Sequence, residues 1–440
     1  MDRWLAAWQP DRDNPYDISA VVHLLRRTAL GHPTSLIARC REAGPTDAVR
    51  LLMSGEAPSE SEVRLAESLP LVLASEKPDD LGGFWWARLL LGSHPLALRM
   101  SLFWHDHFAT SIQKVKSSYW MSEQLASFDR HGLGHFRTLL LEVAKGPAMI
   151  RWLDNESNRK GRPNENFARE VFELFTLGRD HYSEDDIKEA ARAFTGWRIS
   201  RERFFFDRQR HDAGNKTIFG RSGRFGGEDV MAMAVEREDC ARFLAGKLLA
   251  SFVGPEYPSE ARAELAHVFR EHDGHIGRCL EVLLGSRLFF DPKIRGTRVK
   301  GPVEWIVWFM RSLELFASPK ALNRAASRMG QRLLWPPDVA GWDEEGAWIS
   351  SATWLQRVNL AGRIGTKPFH LDPALEEVVP AGSPEAELGW FVERLFPEGL
   401  ATAARSSLEA QARGEARLSR PVRLSGLLRA CLMLPEAHRF

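Results

Sequence analysis

Cysteine is scarce in this chain of 440 residues: Cys40, Cys240, Cys279 and Cys431 are far apart and form no C-x-x-C pair. That argues against a disulfide framework or a zinc knuckle, and makes a reducing compartment the default. An excess of either charge is also missing, with 59 basic residues against 58 acidic ones. No global field draws the chain to nucleic acid or to an acidic surface, so any basic site has to be local. Long apolar runs are absent too. WIVWFM at 305–310 falls far short of the roughly 20 residues a membrane helix requires. The opening MDRWLAAWQPDRDNPYD has no apolar core before a small-residue cleavage site, so no signal peptide is read. The expectation is a cytoplasmic protein with no membrane and no nucleic-acid partner.

The familiar catalytic signatures are missing as well. There is no GxGxxG after a strand, no P-loop, no HExxH, no GxSxG elbow and no cysteine paired with a nearby histidine. No repeat of 20–50 residues and no low-complexity tract is visible. What is present is ordinary globular composition, 44% hydrophobic and 27% charged, which sets aside the disordered and collagenous classes.

Most segments repeat apolar residues at three- and four-residue steps, the helical period. ISAVVHLLRRTALG (18–31), PTSLIARCREAG (33–44), TDAVRLLMSG (46–55) and GHFRTLLLEVAKG (134–146) read as helices, as do SEDDIKEAARAFTGW (183–197) and 228–290. Strand signals are confined to RERFFFD (201–207) and KTIFG (216–220), which read as one small hairpin across HDAGN. LLWPPDVAGWDEEGAWISSA (333–352) holds too many Pro, Gly and Trp residues for a regular element and reads as an ordered loop. The fold expected is mainly α: a large helical domain over 1–375 with long ordered loops and a β excursion near 201–220. A helical C-terminal extension, 376–440, packs on it.

Chemistry concentrates in a few places. In NRKGRPNENFAREVFELFTLG (158–178) a helix over about 163–177 puts Asn166, Glu170 and Glu173 on one stripe beside the apolar Phe167, Val171 and Leu174. Carboxylates at such a boundary need partners, either arginines such as Arg169 and Arg192 or a metal ion. In FWHDHF, His105 and His107 lie about 200° apart on an ideal helix, and share a metal only if the helix ends there. His107, within the stripe of Met100, Phe103, Trp104 and Phe108, also reads as a core histidine with protein partners. HDAGNKTIFG places His211, Asp212 and Lys216 in one turn, suited to proton transfer or equally to an Asx turn into Gly214. Lys300 precedes a Gly-Pro helix entrance where an anion docks. Trp342 and Trp348 form a wall for a ligand or a plug for a core.

The blocks LLRRTALG, FWHDHFATS, LDNESNRKGRPNENFARE, ELFTLGRDHYSEDD, HDAGNKTIFG, VKGPVEW and WPPDVAGWDEEGAW together resemble the bacterial family named "domain of unknown function 1800", over roughly residues 17–360. The resemblance implies no assigned activity and no catalytic residue. Relatives commonly read ELHTLG and WHNHF, so Phe175 stands where a histidine is usual and Asp106 where an asparagine is. Many relatives look exported, which this chain's opening does not.

The leading expectation is an enzyme, a metal-dependent hydrolase or oxidoreductase, acting on a polar or anionic small molecule, glycan or peptide. His105, His107, Glu165, Glu170, His211 and Asp212 would be catalytic. A divalent metal ion would be held by His105, His107, Glu170, Glu173 and His181. Substrate would meet Lys160, Arg162, Asn164, Asn166, Arg169, Lys216, Lys300, Trp342 and Trp348. The rival reading is a scaffold or protein-partner module whose polar motifs form a structural network, and a third is carbohydrate binding on the tryptophan loop.

Overall fold

A computed structural model describes residues 4–343, 345–366 and 369–440; Met1 to Arg3 of the opening stretch and Glu344 of the tryptophan loop lie outside the described residues. The chain is mainly α-helical, and its strands form three small antiparallel pairs. Helices named below are α1 (Ile18–Thr28), α2 (Thr34–Ser54), α3 (Pro78–Leu91), α4 (Pro95–His107), α5 (Asn166–Glu170), α6 (Glu184–Ala193), α7 (Glu238–Phe252), α8 (Pro302–Ser312), α9 (Ser351–Ala361) and α10 (Pro384–Leu395). The sequence directs where they start. Asp17 caps α1 by accepting from the Ala20 N–H, and Ser183 and Asp186 form a reciprocal capping box on α6. Proline opens α3, α4 and α8, where its missing N–H costs nothing. The two helices expected over 33–55 run as α2, broken at Gly44 with φ 75° just before Pro45.

Helix α8 occupies the centre. Trp305, Ile306, Val307, Trp308, Phe309 and Met310 are all fully buried, so the apolar run WIVWFM is covered on every side. Among the described residues no helix is long and apolar enough to cross a membrane. Apolar residues from Leu5 to Ala437 form one continuous buried cluster, and it includes Leu375 and Leu388 on either side of the expected boundary. The C-terminal segment is tied to this centre by polar contacts as well: Arg357 of α9 donates to the Lys300 carbonyl (2.7 Å) and lies 3.1 Å from His438 Nδ1.

The β excursion differs in its pairing from the single hairpin expected. β1 (Trp197–Ser200) pairs with β2 (Arg203–Phe206), and β3 (Lys216–Ile218) with β4 (Arg221–Gly223). The cause is local turn chemistry. Arg201 and Glu202 (φ 48° and 64°), then Phe219 and Gly220 (φ 50° and 74°), each supply two successive left-handed residues, which make tight two-residue hairpins.

Candidate functional site

The two histidines of FWHDHF leave α4 in different directions, because the helix continues through His107. His105 Nε2 accepts the Leu334 N–H at 3.2 Å, so the ring proton is assigned to Nδ1. Its ring sits edge-on to Trp85 (4.9 Å between centroids) and 5.2 Å from Trp342. Burial pushes its pKa down to about 3. His105 therefore fastens the tryptophan loop to α4. Asp106 completes that attachment, its Oδ1 accepting from the Trp342 N–H at 2.9 Å. The loop comes so close that a Cβ on Gly341 (φ 97°) would lie 2.4 Å from Asp106 Oδ1.

His107 turns the other way. Its Nε2 lies 3.1 Å from the Phe175 carbonyl and donates to it, which leaves Nδ1 as a lone-pair acceptor with no protein partner. Burial, helped by the nearby Lys247 ammonium, holds the ring neutral with a pKa well below the usual range. Phe175, where relatives commonly carry histidine, is buried with its ring 6.2 Å from that of His107.

His107 lines a cleft of about 270 Å³ that also takes residues from α4, α7, the entrance of α8 and the tryptophan loop. Arg99, one helical turn before Phe103 and two before His107, ties these elements together. It donates to Ser251 Oγ of α7 at 2.7 Å and pairs with Glu304 of α8 at 3.2 Å, with both partners of the pair nearly buried. Arg298 meets the same Glu304 oxygen, Oε1, at 2.9 Å, and Glu304 Oε2 accepts the Gly301 N–H at 2.8 Å. Burial alone would raise the Glu304 carboxyl, but Arg298 and Arg99 outweigh it and hold the pKa at about 2. The α8 N-terminus, where an external anion was expected, is thus occupied by the helix's own carboxylate. Lys247, half-buried in the same cleft, forms no ion pair among the described residues; its Nζ lies 5.5 Å from the Phe243 ring centre. Trp342 and Trp348 form part of the wall, each 8% exposed.

The other expected site residues lie elsewhere, in closed local networks. The helix expected from 163 begins at Asn166 and passes into a π turn over Val171–Thr176, so the assumed stripe of Asn166, Glu170 and Glu173 does not continue at α-helical register. Glu173 instead accepts from Arg179 (2.7 Å) and the Tyr182 hydroxyl (3.1 Å). Arg169 grips Glu184 with two bonds of 2.9 and 2.8 Å and lies 3.5 Å from Glu165. Asn164 and Asn166 serve the backbone: the Asn164 N–H donates to Asn158 Oδ1 at 3.0 Å, and Asn166 Nδ2 donates to the Leu153 carbonyl at 3.1 Å. Among the described residues the Glu170 side chain forms no hydrogen bond or ion pair; burial and then Glu173 raise its pKa. His181 pairs with Asp239 at 3.1 Å on the surface. Lys160 and Arg162 are exposed.

The turn at 211–216 is likewise closed. Asp212 is gripped by Arg192 (2.8 Å), which holds its pKa at about 2, and makes the Asx turn to the Gly214 N–H at 2.9 Å. His211 Nδ1 donates to the Thr195 carbonyl at 2.9 Å. Lys216 is buried and donates to the carbonyls of Asp212 (2.6 Å) and Gly214 (3.1 Å). Lys300, fully buried, points at the carbonyls of Ala437 and Arg439 and over the Trp308 ring, away from the entrance of α8. Among the described residues no hydrogen bond or ion pair joins these clusters to the His105 or His107 ring. Among the described residues no three His, Cys, Asp or Glu side chains are grouped so as to hold a metal ion.

The cleft gathers FWHDHF, VKGPVEW and the tryptophan loop, three motif blocks more than 200 residues apart at their extremes. A model of a protein family described as "Protein of unknown function (DUF1800)" matches residues 23–439. The chain belongs to the DUF1800 family. The match takes in every residue of the cleft and runs through the C-terminal segment, beyond the 17–360 span in which the resemblance was read. No curated protein and no solved structure matches this DUF1800 chain. The residues missed by sequence reasoning are Arg99, Lys247, Arg298 and Glu304. A signal existed for two of them: Arg99 shares the helical face of Phe103 and His107, and Glu304 is the one acid in an otherwise apolar α8.

Proposed function

We propose that this DUF1800 protein is an enzyme acting on a compact, polar or anionic small molecule held in the cleft between α4, α7, α8 and the tryptophan loop. Lys247 supplies the charge that receives an anionic group of the substrate. His107, neutral and buried at the cleft wall, is held by its bond to the Phe175 carbonyl and shapes the site. The exposed Asp343 at the cleft is the carboxylate assigned to proton transfer. Arg99, Arg298 and Glu304 form the rigid, charge-balanced floor that fixes these groups.

The observation that carries this reading is one concave site in which buried ionisable groups of α4 and α8, His107 and Glu304, lie beside Lys247 of α7 and Asp343 of the tryptophan loop. The proposed chemistry rests on proton transfer and charge recognition. The test is incubation of the protein with a panel of small carboxylic acids and phosphate monoesters, followed by mass spectrometry for consumption. Wild type is expected to convert at least one compound, and Lys247→Met to lose about 100-fold or more in turnover at low substrate. Conversion that is equal in Lys247→Met removes Lys247 from the site; no conversion of any compound favours the scaffold reading.

A further inference from the structure

The balanced overall charge conceals a local basic stripe. Residues 158–163 and 197–210 together hold eight basic residues, Arg and Lys, against two acidic ones, Glu202 and Asp207, in a chain whose formal charge is +1. The fold brings the two stretches side by side. The Lys160 N–H donates to the Arg210 carbonyl (2.8 Å) and the Gly196 N–H to the Asn158 carbonyl (3.3 Å), so the 159–163 loop lies along the base of the β1–β2 hairpin. Arg159, Arg162 and Arg210 line one open groove of about 600 Å³ there.

Most of this charge is uncommitted. Among the described residues Arg159, Lys160, Arg162, Arg201, Arg203 and Arg208 form no ion pair and no side-chain hydrogen bond, and all six are exposed. Apart from the exposed Glu202 at the hairpin tip, the nearby acids are already used: Asp207 by Arg198 (3.1 Å) and Arg210 (3.5 Å), Glu165 by Arg169, Asp154 by Lys114 and Glu156 by Arg151. The hairpin register adds an aromatic ring. Trp197, Ile199, Phe204 and Phe206 share one face, on which Trp197 is buried, while Arg198, Ser200, Arg203 and Phe205 share the other. Phe205 is therefore directed outward, 49% exposed, with Arg198 across the strand pair and Arg203 two residues before it.

We infer that this face binds single-stranded nucleic acid, with the arginines tracking phosphates and Phe205 stacking on a base. The site is separate from the cleft and does not depend on the enzyme reading. A stripe of guanidinium groups beside an outward ring in mid-strand is the arrangement that serves sequence-tolerant binding of single strands. An anionic membrane fits less well, because the hairpin tip is Arg201–Glu202 and offers no apolar residue to insert.

The test is fluorescence anisotropy of a labelled oligothymidylate of about twelve nucleotides at about 50 mM salt. Wild type is expected to bind in the micromolar range, and Phe205→Ser to bind about tenfold more weakly. The double variant Arg159→Ser/Arg162→Ser should lower the slope of log affinity against log salt by about 1.4, the share of two phosphates. All three substituted side chains are exposed, so circular dichroism spectra should match wild type. Absence of saturable binding, equal binding by Phe205→Ser, or retention only on phosphatidylglycerol vesicles would each overturn the proposal, the last in favour of a lipid surface.

Discussion

Gly341 and Glu304 show how the cleft depends on single residues. Gly341 has φ 97° and no room for a Cβ beside Asp106, so Gly341→Ala meets both backbone strain and a steric clash. It is expected to destabilise the protein by more than about 1 kcal/mol in urea unfolding. Gly389→Ala is the control: it lies inside α10 with nothing within 4 Å of the added Cβ, and should stabilise by about 0.5–1 kcal/mol. Glu304→Gln leaves Arg99 and Arg298 facing each other without their shared carboxylate. The expected loss is about 3–5 kcal/mol, since a buried pair broken on one side leaves an uncompensated charge. A loss under about 1 kcal/mol in the same unfolding experiment would mean that this ionic floor does not hold the cleft.

At the scale of elements, the π turn after α5 separates two glutamates that the sequence placed together. Glu173 is paired with Arg179 and Tyr182, whereas Glu170 is half-buried without a partner and has a raised pKa. A carboxyl whose folded pKa lies above its unfolded value opposes folding when ionised, and its contribution improves as pH falls through that folded pKa. Glu170→Gln is therefore expected to be neutral or stabilising by a few tenths of a kcal/mol at pH 7, the partial exposure screening the repulsion. Guanidinium unfolding compares it with wild type; a loss above about 2 kcal/mol would instead reveal a buried network around Glu170. The start of α6 was legible because Ser183 acts through its immediate neighbours, whereas Pro163 did not open a helix and α5 begins at Asn166. The π turn and the separate hairpins were less so, as the first depends on packing and the second on left-handed Arg201, Glu202 and Phe219, residue types that seldom signal such a turn.

Across the whole molecule, five histidines are buried and neutral: His23, His32, His105, His107 and His438. Desolvation is the leading cause in each, and carries His105 to about 3 and His438 to about 2. Unfolded, each binds a proton near pH 6.5; folded, each stays neutral to much lower pH. The unfolded state then holds more protons below pH 6.5, so stability falls on acidification by about 1.4 kcal/mol per pH unit for each histidine. Glu304 adds a later loss as pH drops from its unfolded value of 4.5 towards 2. Thermal unfolding between pH 7.5 and about 5 should show a steep fall in Tm, and a flat profile would contradict the neutral assignment.

The helical class and the ordered tryptophan loop could be read from the chain, because period and composition are local properties. The convergence of Arg99, Lys247 and Glu304 could not, since the signals at Arg99 and Glu304 mark burial on their own helices and do not say that three distant segments meet.

The most direct measurement is titration calorimetry of a compound converted by the wild-type protein against Lys247→Met. The account predicts one site per chain, with affinity about tenfold or more weaker in the variant and an unchanged Tm in the absence of ligand. Equal affinity in the two proteins would contradict the assignment of the cleft as the place where substrate binds.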